Sequence, residues 1–147
     1  MVSRLYMQEG VLRRIASSKF AEGFILKGGL LLFSLSHFKS RPTKDIDLLG
    51  RNIPNDDFLL TKALKEILTI QIEDGLVFHT NEMELESITE GAEYQGQRLK
   101  IQCNLGNIRT NLKLDIGFGD KIYPHPIGMT YPSILDSSGI KLLAYSL

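Results

Sequence analysis

Apolar positions recur along this chain with two different periods. Leu5, Val11, Leu12 and Ile15 fall on helical spacing and predict an amphipathic helix over roughly residues 4–17, with Gly10 a weak point in its continuity. Residues 24–27 read as a short strand, which Gly28-Gly29 turns into a helix over about residues 30–38. That helix is apolar on nearly every side and is expected to be buried. Pro42 breaks the chain, residues 44–49 form a strand, and Gly50 ends it. Asn55 suits a helix N-cap, with Asp56 and Asp57 at the positive end of the dipole; Phe58, Leu60, Ala63, Leu64, Ile67 and Leu68 then carry a helix to about Thr69.

The second half alternates with period two. Asp74-Gly75 marks a turn, residues 76–79 and 85–88 read as strands, and Tyr94-Gln95-Gly96-Gln97 reads as a hairpin turn. Leu99, Ile101, Cys103 and Leu105 share one face of a half-buried strand over residues 98–105. After Gly106-Asn107, Leu112, Leu114, Ile116 and Phe118 share one face of a further strand, with Lys113 and Asp115 on the other. From Asp120 onward Pro124, Pro126, Gly128 and Pro132 predict a loop-rich stretch. This order of elements is that of an α+β (or α/β) domain, a mixed β-sheet flanked by helices.

Composition narrows the function classes. A chain of 147 residues is one domain by size and long enough for a single core. Its formal net charge of +0 gives no overall electrostatic case for nucleic acid, although His37, Lys39, Arg41, Lys44 and Arg51 form a local basic cluster, either a solvated face or a binding surface. Cys103 is the only cysteine, so no disulfide forms within the chain, which fits a cytoplasmic location. No signal peptide is evident, and the longest apolar stretch, residues 30–35, is far too short to span a membrane. His37, His79 and His125 are scattered without ligand spacing and read as ordinary polar positions.

The chemistry concentrates in Arg41-Pro42-Thr43-Lys44-Asp45-Ile46-Asp47-Leu48-Leu49, whose Asp45 follows Gly29 by sixteen positions. Asp45 and Asp47 are two apart on a strand and so point to one face, while Ile46 and Leu48 point into the core. Close like charges need a positive partner, and a divalent cation is one way to supply it. A glycine pair opening a helix offers backbone N–H groups to phosphate. Asp115 would be a further carboxylate if its strand lies beside that of Asp45 and Asp47. Each signal also has a plain reading: a solvated strand end for the acidic pair, a simple turn for Gly28-Gly29, a solvated lysine for Lys27, an ion pair with Asp115 for Lys113, and a loop-fixing role for Arg41 and Thr43.

In combination, Leu26-Lys27-Gly28-Gly29, the Asp45/Asp47 run and Leu114-Asp115-Ile116-Gly117-Phe118-Gly119-Asp120 resemble the AbiEii/AbiGii nucleotidyltransferase toxins of type IV toxin–antitoxin systems, linked to abortive infection. The resemblance covers residues 26–145 and implies a DNA polymerase β-like nucleotidyltransferase fold. It further implies metal-binding acids at Asp45 and Asp47 with Asp115 as third ligand, Lys113 and Asp115 as a Lys-x-Asp motif, and NTP phosphates over Lys27, Gly28 and Gly29 with Arg41 and Thr43 nearby. Mg²⁺ or Mn²⁺ is the implied cofactor, and the implied reaction is transfer of NMP from NTP to an acceptor hydroxyl such as an RNA or tRNA 3′ end. A cognate antitoxin is an implied partner. The Gly29-to-Asp45 spacing is longer than the commonest form of the motif. Relatives continue into a C-terminal helical region, so residues 1–147 are expected to be the catalytic domain of a truncated chain. Two alternatives follow: a non-catalytic remnant that binds NTP or antitoxin, and an enzyme of the same fold that transfers the γ-phosphate.

Overall fold

The computed structural model describes residues 2–36, 44–90, 94–118, 126–135 and 138–145. Among them, eight strands form one sheet. In chain order the elements are helix α1 (Val2–Ser17), strand β1 (Phe24–Lys27), helix α2 (Gly28–Leu35), β2 (Asp45–Gly50), helix α3 (Asp57–Leu68), β3 (Leu76–Phe78), β4 (Glu84–Glu90), β5 (Tyr94–Leu105), β6 (Ile108–Phe118), β7 (Ile127–Tyr131) and β8 (Ile140–Ala144). The sheet runs β3-β5-β6-β2-β1-β8-β7, with β4 also pairing on β5. It is mixed: β2 lies parallel to β6, and β1 parallel to β8, while the remaining pairs are antiparallel.

Alternation along the central strands separates two faces. Phe24 and Leu26, Ile46 and Leu48, Leu112, Leu114 and Ile116, and Leu99, Ile101 and Cys103 join Met7, Val11, Leu12 and Ile15 of α1 and Leu60, Leu64, Ile67 and Leu68 of α3 in one core. Burying these side chains against two helices is the main force holding the sheet, at roughly 1.5–3 kcal/mol for each large apolar residue. The alternate residues of β2, β6 and β5 make the other face and include the charged residues Asp45, Asp47, Arg98, Lys100, Lys113 and Asp115. Cys103 is fully buried, as its alternation predicts, and burial pushes its thiol up to about 12.

Beneath the core a buried ionic network ties α1 to two distant segments. Arg14 donates to both Asp74 carboxylate oxygens at 2.7 and 2.9 Å and to the Ile70 carbonyl at 3.2 Å. Glu9 accepts from Arg13 at 2.6 Å and from the Ile134 N–H at 2.7 Å.

Several expectations are corrected. Tyr94-Gln95-Gly96-Gln97 is the start of β5 rather than a turn, and the β4–β5 connection falls on residues 91–93, outside the described residues. Gly96 is needed for close strand approach: a Cβ there would lie 2.8 Å from the Ile116 carbonyl oxygen. The N-cap of α3 is Asp56, which accepts the Leu59 N–H at 2.9 Å, because the helix starts one residue later than expected. Asn55 instead accepts from Gln97 at 3.2 Å. The helix after β1 begins at Gly28 itself, and Leu35 near its end is exposed rather than buried. The stretch predicted as loop-rich contains β7 and β8, and β8 completes the sheet beside β1, with the Tyr145 N–H donating to the Leu26 carbonyl at 2.8 Å. No helix among the described residues is long and apolar enough to cross a membrane.

Candidate active site

Strand register carries the acidic residues together. Parallel pairing of β2 with β6 sets Asp45 beside Lys113 and Asp47 beside Asp115. On the other side of β2, antiparallel pairing sets Lys27 beside Asp47. Paired residues point to the same face of a sheet, so these five side chains share the charged face. Asp45, Asp47 and Asp115 are half-buried, and Lys113 is exposed.

The same register continues outward. Asp115 pairs with Arg98 and Lys113 with Lys100 on β5, and those two pair with Glu86 and Glu84 on β4. Two charged rows therefore cross the sheet. One reads Lys27, Asp47, Asp115, Arg98, Glu86; the other reads Asp45, Lys113, Lys100, Glu84. Arg98 was not singled out from the sequence, where alternation places it on a polar face but not opposite Asp115. Its guanidinium makes a two-pronged ion pair, Nε to Oδ1 at 2.7 Å and Nη2 to Oδ2 at 3.0 Å. Asp115, Asp45 and Glu86 all favour the charged form of Arg98, Asp115 most strongly.

Asp47 also organises the β1–α2 corner. It accepts the Gly29 backbone N–H, so that amide is engaged by the acidic strand rather than left bare for a phosphate. Gly28 adopts φ +70, and a Cβ on it would collide with the Asp47 carboxylate oxygen and lie 2.9 Å from the Asp47 Cβ. Only glycine fits both the left-handed backbone and that space.

Charge at Asp47 is not fully balanced. Burial pushes its carboxyl above the ordinary range, and the Asp115 carboxylate pushes it further; Lys27 opposes, Asp45 adds to the rise, and the Gly29 N–H lowers it. Asp45 and Asp47 offer carboxylate oxygens on one face of β2, the donor type that a hard divalent cation takes. Among the described residues, however, no three His, Cys, Asp or Glu side chains form a group that could hold a metal ion. Asp115, expected as a third ligand, has both oxygens on Arg98.

Lys113 makes no ion pair among the described residues. It borders a cleft of about 400 Å³ whose other polar lining is Glu82, Glu84, Lys100, Gln102 and Asn111. Arg41 and Thr43, expected near the phosphates, lie outside the described residues, as do His37, Lys39, Asp120 and His125.

Over residues 10–147 the chain matches the family model described as nucleotidyl transferase AbiEii toxin, type IV TA system. No curated protein sequence matches it. Two solved structures share its fold. One, a candidate nucleotidyltransferase from H. pylori, superposes with TM-score 0.57 at 14% identity over 99% of this chain and 53% of its own. The other, JHP933 from Helicobacter pylori, gives TM-score 0.52 at 14% identity over 99% of this chain and 52% of its own. The chain thus spans about half the length of the structures it matches.

Proposed function

The chain belongs to the AbiEii nucleotidyl transferase toxin family of type IV toxin–antitoxin systems, and from that premise we propose that it forms the catalytic core of a metal-dependent enzyme transferring NMP from an NTP to an acceptor hydroxyl. The observation that carries this reading is the register of Asp45 and Asp47 on β2 against Lys113 and Asp115 on β6. Asp45 and Asp47 would hold the Mg²⁺ or Mn²⁺. Such an ion, when bound, neutralises charge on the phosphate oxygens and aligns the attacking and leaving groups.

The chain's own residues then have separate tasks. Lys113, exposed beside Asp45, reaches the transferring phosphate and offsets its charge as the bond breaks. Lys27, at the end of β1 and paired with Asp47, sets the positive side of the triphosphate site, next to Gly28 and Gly29; Arg41 and Thr43, outside the described residues, are further proposed phosphate contacts. Asp115 receives the proton of the attacking hydroxyl on the carboxylate lone pairs that Arg98 does not occupy. The hydroxyl oxygen bonds to the α-phosphorus, the α–β bridging bond breaks, and pyrophosphate leaves. The cleft beside Lys113 has room for an acceptor end, for which an RNA or tRNA 3′ terminus is the proposed class. The cytoplasm is the proposed place of action, with a cognate antitoxin as the partner of the system.

Label transfer tests the reading. The protein is incubated with each α-labelled NTP, Mn²⁺ or Mg²⁺ and bulk RNA, beside Asp47→Asn. Label on RNA that Asp47→Asn abolishes supports it. Transfer only from γ-labelled NTP would replace it with a phosphoryl-transfer enzyme. NTP binding without any transfer would replace it with a non-catalytic nucleotide-binding module.

A further inference from the structure

We propose that Arg98 is the resident counter-ion of Asp115, keeping that carboxylate out of the metal shell, so that the nucleotide-free site takes one divalent cation, on Asp45 and Asp47. The inference rests on the metal-dependent reading of this site and refines it. Arg98 is a positioning residue acting through Asp115.

Three observations carry it. First, the Arg98–Asp115 contact uses both carboxylate oxygens in a parallel fork, the strongest geometry available to this pair. Second, the contact is sheltered: side-chain exposure is 28% for Arg98 and 14% for Asp115. A cation claiming Asp115 would have to displace a planar guanidinium held by two charge-assisted bonds. Third, strand register fixes Arg98 between two carboxylates, directly opposite Asp115 on β6 and Glu86 on β4.

The row of alternating charge explains the asymmetry. Lys27 flanks Asp47 on one side and Arg98 flanks Asp115 on the other, while the two carboxylates face each other across parallel strands. The fork engages both oxygens of Asp115, whereas Asp47 stands on β2 with Asp45 two residues away on the same face. A single divalent ion on the β2 side would be held by these two carboxylates. A second ion between Asp47 and Asp115 would compete with a cation already built into the fold. Arginine suits this task better than lysine, because the planar fork meets both oxygens at once and stays charged at every accessible pH.

Mn²⁺ binding without nucleotide tests the proposal, with free Mn²⁺ followed by electron paramagnetic resonance and folding checked by circular dichroism. The expected result is one ion for the natural protein, loss of that ion in Asp47→Asn, and affinity unchanged within about twofold in Asp115→Asn, where loss of a ligand would cost about 10–100-fold. Arg98→Met, by exposing Asp115, should bind Mn²⁺ about tenfold more tightly or take a second ion, a gain of roughly 1.4 kcal/mol. Arg98→Lys keeps the charge and should retain a single ion, which guards against misfolding of the methionine variant. Tenfold weaker binding in Asp115→Asn, or two ions in the natural protein, would overturn the role given to Arg98 while leaving the metal reading standing. No Mn²⁺ bound, or Asp47→Asn binding as well as the natural protein, would overturn both.

Discussion

Gly28 and Asp47 compete for one space: the Asp47 carboxylate fills the place where a Cβ on Gly28 would stand. The left-handed backbone at Gly28 (φ +70) and the packing of an acidic residue from the next strand are therefore one structural solution. A methyl group at this position must strain the backbone, by about 1–2 kcal/mol, and push Asp47 away from the Gly29 N–H it accepts. Gly28→Ala is expected to lower label transfer about 10²-fold, the scale of a misplaced reacting group, and to lower the urea midpoint. Unchanged transfer together with unchanged stability would show that Asp47 has more freedom than its packing implies.

Asp47 should trade stability for activity. Burial, and then the Asp115 carboxylate, raise its native carboxyl above the value in the unfolded chain. With a raised native value, stability is full below the ordinary carboxylate range and is lost as pH rises through the native value. Asp47→Asn removes the charge yet keeps an oxygen for the Gly29 N–H. In chelator at pH 7 the variant is expected to melt above the natural protein, with the gap closing as pH falls below about 4, where the unfolded carboxylate is itself protonated. Adding Mn²⁺ should reverse the order. A variant less stable than the natural protein in chelator at neutral pH would contradict the charge surplus described at this site.

Lys113 should separate catalysis from folding in the same direction. It faces Lys100 directly across the β5–β6 pair, an arrangement of like charges that weakens a sheet by roughly 0.2–1 kcal/mol. On the proposed reading, its place beside Asp45 serves the transferring phosphate. Lys113→Met should reduce the rate of transfer about 10²–10³-fold, as loss of a charge-stabilising donor does. The urea midpoint should stay level or rise, and Mn²⁺ affinity should not fall. If transfer were unaffected, Lys113 would be only a solvated strand residue.

What could be read in advance depended on the range of the interaction. The shared face of Asp45 and Asp47 follows from period-two alternation within one strand, as does the burial of Ile46, Leu48 and Cys103. Placing Asp115 beside Asp47 needs the register between β2 and β6, which lie more than sixty residues apart in sequence, and only the family resemblance suggested it. Arg98 had no such support: its meaning comes from standing opposite Asp115 on β5, a relation no local pattern encodes. Gly96 misled because turns and close strand approach favour the same residue. β7 and β8 were hidden by the flanking prolines and by their length of five residues each. The Asn55/Asp56 cap differs by one position, since both side chains suit an N-cap and tertiary contact with Gln97 engages the first.

The buried pair Arg14–Asp74 gives the opposite pH signature to Asp47. Burial alone would push the Asp74 carboxyl up, but hydrogen bonds from Arg14 and the Leu76 N–H, with the charges of Arg14 and Arg13, outweigh it and hold the carboxyl below its ordinary range. A lowered native value contributes stability that is present above the unfolded carboxylate range and lost as pH falls through the native value. The side chains of Arg14 and Asp74 are 2% and 0% exposed. Asp74→Asn would thus leave a buried guanidinium without its counter-charge, a loss of about 3–5 kcal/mol. Urea midpoints measured from pH 3 to 8 should show the natural protein well above Asp74→Asn at neutral pH, with the difference narrowing below about pH 4. In the same titration the gap between Asp47→Asn and the natural protein has the reverse sign. α1 is anchored through Arg14 far from the charged face, so Asp74→Asn that remains folded should retain its Mn²⁺ affinity. An Asp74→Asn midpoint equal to that of the natural protein at pH 7 would mean that the network is not what fastens α1 to the sheet.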